Sequence, residues 1–384
     1  MRRSSVRGVS LIELMVAVLI GSILVLGLVE VFAASRTAYQ MSEGMARVQE
    51  NSRFAMDYLQ RDLRMAGHFG CVNDQSHAQT AGALQSHFEN KDFPLQFNVS
   101  IQGYEAQGTA PGNNVDLSVA GGSWTPALPT YITTLNPVPL GRSDIVVLRY
   151  LSAEGVPAAS VAMAPGTTTI KIDPARWSTL TGNGAPNPRL FGIADCNYAD
   201  IFQASTAPDG TITVQNTGLN KTDFTSDRYS ASPAGQAMVY RAEAVVYYVG
   251  EGSAPGTQRA LWRARFMADD ANPVMEELVE GVDSLQMLYG LDTSAGTGNP
   301  PSGYIRDQVT ANVVDAGANW RNVGLVRIGV LMKSPNRAAS IAPASADRIP
   351  AALGVKFTSP APYDGNYRTT YESTIALRNR LYGN

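Results

Sequence analysis

From Val9 to Ala66 the sequence carries the marks of one uninterrupted helix, and a single globular domain has no use for a helix of that length. No proline occurs before residue 94. At ~1.5 Å per residue the helix would run on the order of 85 Å. Its two halves differ. Leu14 to Val29 is uncharged, and Glu30 closes the run. From Met41 the apolar and small residues recur as Met41, Met45, Val48, Ser52, Ala55, Leu59, Leu63 and Ala66, always three or four apart, with Phe54 and Tyr58 widening the stripe. That spacing marks one face of an amphipathic helix. Glu43–Arg47 and Asp57–Arg61 stand at i,i+4 on the opposite face, and Gly67 sits where a helix ends.

The apolar half is long enough to reach across a bilayer if Val9 to Ala34 is counted whole. Arg2, Arg3 and Arg7 precede it with no acid among them, which predicts a cytoplasmic N-terminus and an outward-facing remainder. One reading is a secretory signal peptide cut after Val31-Phe32-Ala33. Two features oppose it: Glu13 interrupts the start of the apolar run, and the helical pattern does not stop at Ala34. An acid at membrane depth costs several kcal/mol, on the order of 3 or more, and such residues have a partner or a function.

Gly8-Val9-Ser10-Leu11-Ile12-Glu13-Leu14 resembles the class III signal of type IV pilins and type II secretion pseudopilins: a short basic leader ending in Gly, then an apolar helix whose fifth mature residue is Glu. The resemblance implies cleavage between Gly8 and Val9 by a prepilin peptidase, and N-methylation of Val9. It also implies that Glu13 neutralises the freed amine of a neighbouring subunit and so helps set subunit register. Val9 stands where Phe is usual. Gly21 and Gly27 weaken the helix by about 1 kcal/mol each relative to Ala; local loosening on assembly and close packing in the membrane are both open readings.

Beyond residue 66 the chain turns rich in glycine and proline, and residues 68–140 read as loops and short strands. Then come β-like runs at Asp144–Leu151, Thr168–Ile172, Thr211–Val214, Ala237–Val249, Arg259–Phe266, Val282–Leu291, Gly324–Met332 and Tyr371–Leu377. Turn-rich loops join them, so antiparallel sheet is expected. The fold class is therefore α+β: a long N-terminal helix, amphipathic in its second half, packed on a large antiparallel β-rich head. The expected divisions are a leader over 1–8, an apolar half over 9–35, an amphipathic half over 36–66 and a head over 67–384. Two subdomains within the head are a second reading. Cys71 and Cys196 are expected to pair if the body is exported, closing a long loop worth about 3–5 kcal/mol; two buried thiols are the other reading.

Parts of the body resemble PilW-type minor pilins: Asn272 to Val282, Leu285 to Asp292, Trp320-Arg321-Asn322-Val323, the ending Thr374 to Arg380, and Arg61 to Gly67 with Cys71. The resemblance implies a minor pilin that helps prime and cap type IV pilus assembly, in support of adhesion and twitching motility. Its implied partners are other minor and major pilins and a PilY-type tip adhesin. The implied location is the inner membrane with a periplasmic head, then the pilus. A type II secretion pseudopilin and an exported enzyme remain the alternatives.

No catalytic signature emerges. There is no GxSxG, and the one Lys-Thr, Lys221-Thr222, follows Asn220 rather than Gly. His68, His77 and His87 lie in or near the irregular segment and are expected to be solvated, with no metal site and no cofactor. Asp292 opens a turn with too few acids for calcium, and Asp269-Asp270 reads as a solvated turn. The chain's net charge of −3 argues against a nucleic-acid protein as a whole. Arg378 and Arg380 are the residues that would touch DNA if any do.

Overall fold

The computed structural model describes residues 8–71, 82–88, 94–118, 121–182, 184–224, 228–231, 235–254, 258–268, 271–292, 294, 302–338, 350–358, 360 and 363–381. His77 and Asp269-Asp270 therefore lie outside the described residues, as does the leader up to Arg7.

Leu11–Met65 is one α-helix of 55 residues. Ser10 opens it in an extended conformation and exchanges hydrogen bonds with Glu13, so two of the amide groups that a helix start leaves open are met within four residues. The other end is closed from three sides. Leu63 O accepts from Ala66 N at 3.2 Å, Met65 O from His68 N at 2.9 Å, and Arg64 O from the Asn379 side-chain amide at 3.0 Å. Gly67 follows at φ 76°, a left-handed conformation that costs glycine little, and donates to Arg149 O at 3.2 Å.

The second half of this helix lies across a four-stranded antiparallel sheet, chiefly on Val323–Arg337 and Asn366–Ala376. The sheet runs in the order Asp307–Val309, Val282–Leu291, Val323–Arg337, Asn366–Ala376. Val48, Ala55, Leu59 and Leu63 enter its core beside Val326, Ile328, Val330 and Ile375. Gly44 marks where the helix first meets the head: a Cβ there would lie 2.5 Å from the Ala338 Cβ, so only glycine permits the approach. Two residues of the expected stripe fall outside it. Met41 is 41% exposed and stands before Gly44, where the described part of the head begins; Phe54 is 50% exposed because it lies one step round the helix from Ala55.

A second, larger sheet is organised by Met238–Glu251. Its first residues pair with Leu190–Ala194 and Val156–Ala164, and from Ala242 onward it pairs with Ile145–Leu151 and then Arg259–Phe266. Val274–Glu280 forms an edge on Arg259–Phe266, and the chain passes through Gly281 directly into the four-stranded sheet. Pairing is mostly antiparallel; Leu84–Ser86 on Ala199–Gln203 and Val355–Thr358 on Asn114–Asp116 are parallel exceptions. Each of the eight β-like runs of the sequence overlaps a strand. Further strands, among them Val156–Ala164, Leu190–Ala194, Ala199–Gln203 and Val274–Glu280, carry small residues, glycine or paired acids, and no clean alternation announced them.

Candidate assembly site

Among the described residues, nothing outside the helix itself packs on its apolar half. Val9 is 73% exposed, and Leu11, Ile12, Leu19, Leu24 and Leu28 are exposed to a similar degree. An 18-residue stretch within Leu11–Met65 has a mean hydropathy of 2.7 and is not buried at all, so the helix is long and apolar enough to cross a bilayer. A Cβ at Gly21 or Gly27 would meet nothing within 4 Å, and the helix runs through both without a break. An apolar cylinder of this length needs lipid or other apolar helices around it.

Gly8 and Val9 are exposed and precede the helix. Glu13 sits one turn in. Its Oε2 accepts from both the Ser10 backbone N–H and the Ser10 hydroxyl at 2.9 Å, and Glu13 N donates to Ser10 Oγ at 3.3 Å. The structure thus brings Gly8, Val9 and Glu13 together at one end, with the carboxylate held by its own helix start. Cys71 and Cys196 are elsewhere: they are bonded to each other, with a sequence separation of 125, and tie the segment after the helix to the turn between Leu190–Ala194 and Ala199–Gln203.

At its head-bound end the helix is keyed by charge as well as by packing. Asp62 is buried, three residues after Leu59 on the apolar face. Its Oδ2 accepts from the Tyr247 hydroxyl at 2.5 Å and from Arg263 NH1 at 2.9 Å. Arg263 also pairs with Glu276 at 2.7 Å, Arg265 bridges Glu276 and Glu243, and Glu243 takes Arg241 at its other oxygen. Acid and base alternate from the helix across three strands, facing a cleft of about 460 Å³. Burial, then the Asp62 carboxylate, push the Tyr247 phenol well above its ordinary range, which keeps it a donor. Arg61 turns to Asp62 at 3.4 Å, and among the described residues neither Asp57–Arg61 nor Glu43–Arg47 closes into an ion pair. The one signal for Asp62 in the sequence was an acid at helical spacing on the apolar stripe.

Three other expectations are corrected. His87 is not a solvated loop residue: it is fully buried, with Nε2 2.7 Å from Asp200 Oδ1 and Nδ1 2.9 Å from the Thr222 carbonyl. Asp200 collects Arg228 and the Tyr229 hydroxyl as well, so this cluster fastens the irregular segment to the sheet. His68 is largely buried too, and that burial lowers its pKa. Arg380 is 1% exposed beneath the C-terminal turn Arg378–Leu381, out of reach of DNA, while Arg378 is exposed. The same turn supplies Asn379 to the end of the long helix, which gives the C-terminus a packing role. Asp292 is occupied by its own loop, accepting from Ser294, Ser302 and the Gly303 amide.

Residues 246–379 match the family described as Type IV Pilus-assembly protein W, and residues 3–29 match the Prokaryotic N-terminal methylation motif. The chain is also similar to a type IV-like pilin from Thermus thermophilus, at 10% identity over 88% of this chain and 100% of that one, with a TM-score of 0.32. No curated protein sequence matches the chain.

Proposed function

We propose that this chain, which belongs to the PilW-type type IV pilins, is a minor pilin that helps to prime and cap type IV pilus assembly. The observation that carries the reading is the joining of one wholly exposed apolar half-helix, with Glu13 at its start, to a large β-rich head. Its work is assembly rather than turnover. A prepilin peptidase cuts between Gly8 and Val9, and Val9 is methylated. The subunit waits in the inner membrane with its head in the periplasm. On incorporation the apolar half-helix exchanges lipid for the helices of other minor and major pilins, and Glu13 exchanges Ser10 for a neighbour's terminal amine. A buried carboxylate that loses its only cation is strongly unfavourable, so the pairing favours one register. The bulk of the head suits a position at the tip, next to a PilY-type adhesin, better than repeated use in a thin shaft.

Glu13→Ala tests this directly. The variant is expected to be cleaved at the wild-type rate and to reach the membrane at the wild-type level. Its amount in sheared pili should fall by about tenfold or more, the equivalent of ~1.4 kcal/mol of lost pairing. Incorporation at the wild-type level would refute the role given to the carboxylate.

A further inference from the structure

Strand Ile101–Ala106 pairs antiparallel with Ile145–Leu151, with Tyr104 opposite Ile145. One step further along the same register, Glu105 stands opposite Asp144. Residues directly opposite share a face, and like charges there repel. Both side chains are buried, Glu105 to 5% exposure and Asp144 to 2%. Among the described residues neither forms an ion pair with a base.

Asp144 is fully engaged by neutral donors from two sheets. Its Oδ1 accepts from Ala106 N at 2.9 Å, and its Oδ2 from Met287 N, in the four-stranded sheet, at 2.8 Å. Its own amide donates to Leu285 O at 2.8 Å. It is a clasp between the sheets. Glu105 is met on one side only: by the Thr109 hydroxyl at 3.4 Å and by the backbone of Ala311, the first residue of helix Ala311–Ala316. Glu105 Oε2 is buried with no partner. Thr109 Oγ1 lies 3.4 Å from both carboxylates, which fixes them as neighbours.

We propose that Glu105 and Asp144 share one proton, and that loss of this proton loosens the joint between the two sheets beneath helix Ala311–Ala316. Two adjacent buried carboxylates cannot both ionise cheaply, and a carboxyl proton on Glu105 Oε2 supplies the donor that this corner lacks. The other titratable and charged groups around the pair offer no substitute. Tyr289, from Val282–Leu291, is itself held well above its ordinary range by burial and then by Asp144 and Glu105. Asp315, on the helix, accepts from Trp320 Nε1 at 2.9 Å. Arg142, ahead of Asp144, donates to the Gln107 carbonyl at 3.0 Å. Arg321 lies on the turn Trp320–Asn322 that approaches the same strand.

Burial pushes Glu105 up to about 7, and burial followed by the Glu105 charge holds Asp144 well above its ordinary range. A carboxyl raised in this way contributes stability that is complete below its ordinary pKa and is lost as the pH climbs through about 7. The joint is therefore closed in mildly acidic surroundings and weakened in alkaline ones.

The test uses the mature chain in detergent, as wild type and as Glu105→Gln, whose amide N–H can stand where the shared proton does. Amide exchange at Ala106, Met287 and Ala311 is followed at pH 5 and pH 8. Beyond the intrinsic base-catalysed rise, the wild type is expected to speed up by about tenfold for each pK unit by which Glu105 is raised. Glu105→Gln is expected not to, and to be the more stable of the two in urea at pH 8. Parallel pH profiles for the two proteins would overturn the proposal. Should Glu105→Gln fail to fold, the infrared band of a protonated carboxyl in wild type decides: its persistence at pH 6 supports the shared proton, and its absence refutes it.

Discussion

Asp62→Ala is expected to destabilise the head-bound end of the helix by about 1–3 kcal/mol, because it takes the acceptor away from two largely buried donors. The side chains of Asp62 and Arg263 are 6% and 12% exposed. The substitution strips Arg263 NH1 of its acceptor and leaves the Tyr247 hydroxyl facing the truncated side chain. Arg263 retains Glu276, but the run of alternating charge no longer reaches the helix. Asp62→Asn keeps an acceptor for Tyr247 and loses only the charge, so it should cost less. Urea unfolding of the mature protein in detergent gives both values. In a double-mutant cycle, Asp62→Ala and Arg263→Met should be non-additive by at least about 1 kcal/mol. Additive losses would mean that the pair does not hold the helix to the sheet.

The second large effect is on the disulfide. Reducing Cys71–Cys196, or replacing both residues by Ser, is expected to lower stability by about 5 kcal/mol in the loop-closure description for a separation of 125 residues. Both cysteines are exposed, so a reductant can reach them without unfolding. The bond fixes the chain as it leaves the helix and passes toward the strand Leu84–Ser86. That strand in turn lies parallel to Ala199–Gln203, just past Cys196. The loss should appear as a lower urea midpoint in the presence of reductant, absent from the Ser–Ser variant, which starts low. An unchanged midpoint would mean that the cluster around Asp200 and His87 holds this region alone.

The contrast between Leu59 and Asp62 shows what could be read from the chain and what could not. Leu59, Leu63 and their neighbours announced a buried face because apolar spacing is a local signal. Asp62 occupies the same face for a reason 201 residues away, in Arg263, and nothing near it in sequence says so. His87 is the same case: it stood in an irregular segment, and its burial depends on Asp200 and Thr222. Glu105 and Asp144 are each unremarkable in sequence, and only the strand register sets them face to face. A long run rich in Val and Tyr, such as Met238–Glu251, was legible. Leu190–Ala194, short and interrupted by Gly192, was not. At the N-terminus the position was reversed. The signal carried by Gly8, Val9 and Glu13 lies in their spacing along one helix start, before any tertiary structure.

The mass of the mature N-terminus bears most directly on the reading as a pilin. Intact mass and N-terminal peptide mapping of protein taken from membranes should show a chain that begins at Val9 and carries a methyl group on its α-amine. A chain that begins at Ala34 would contradict it.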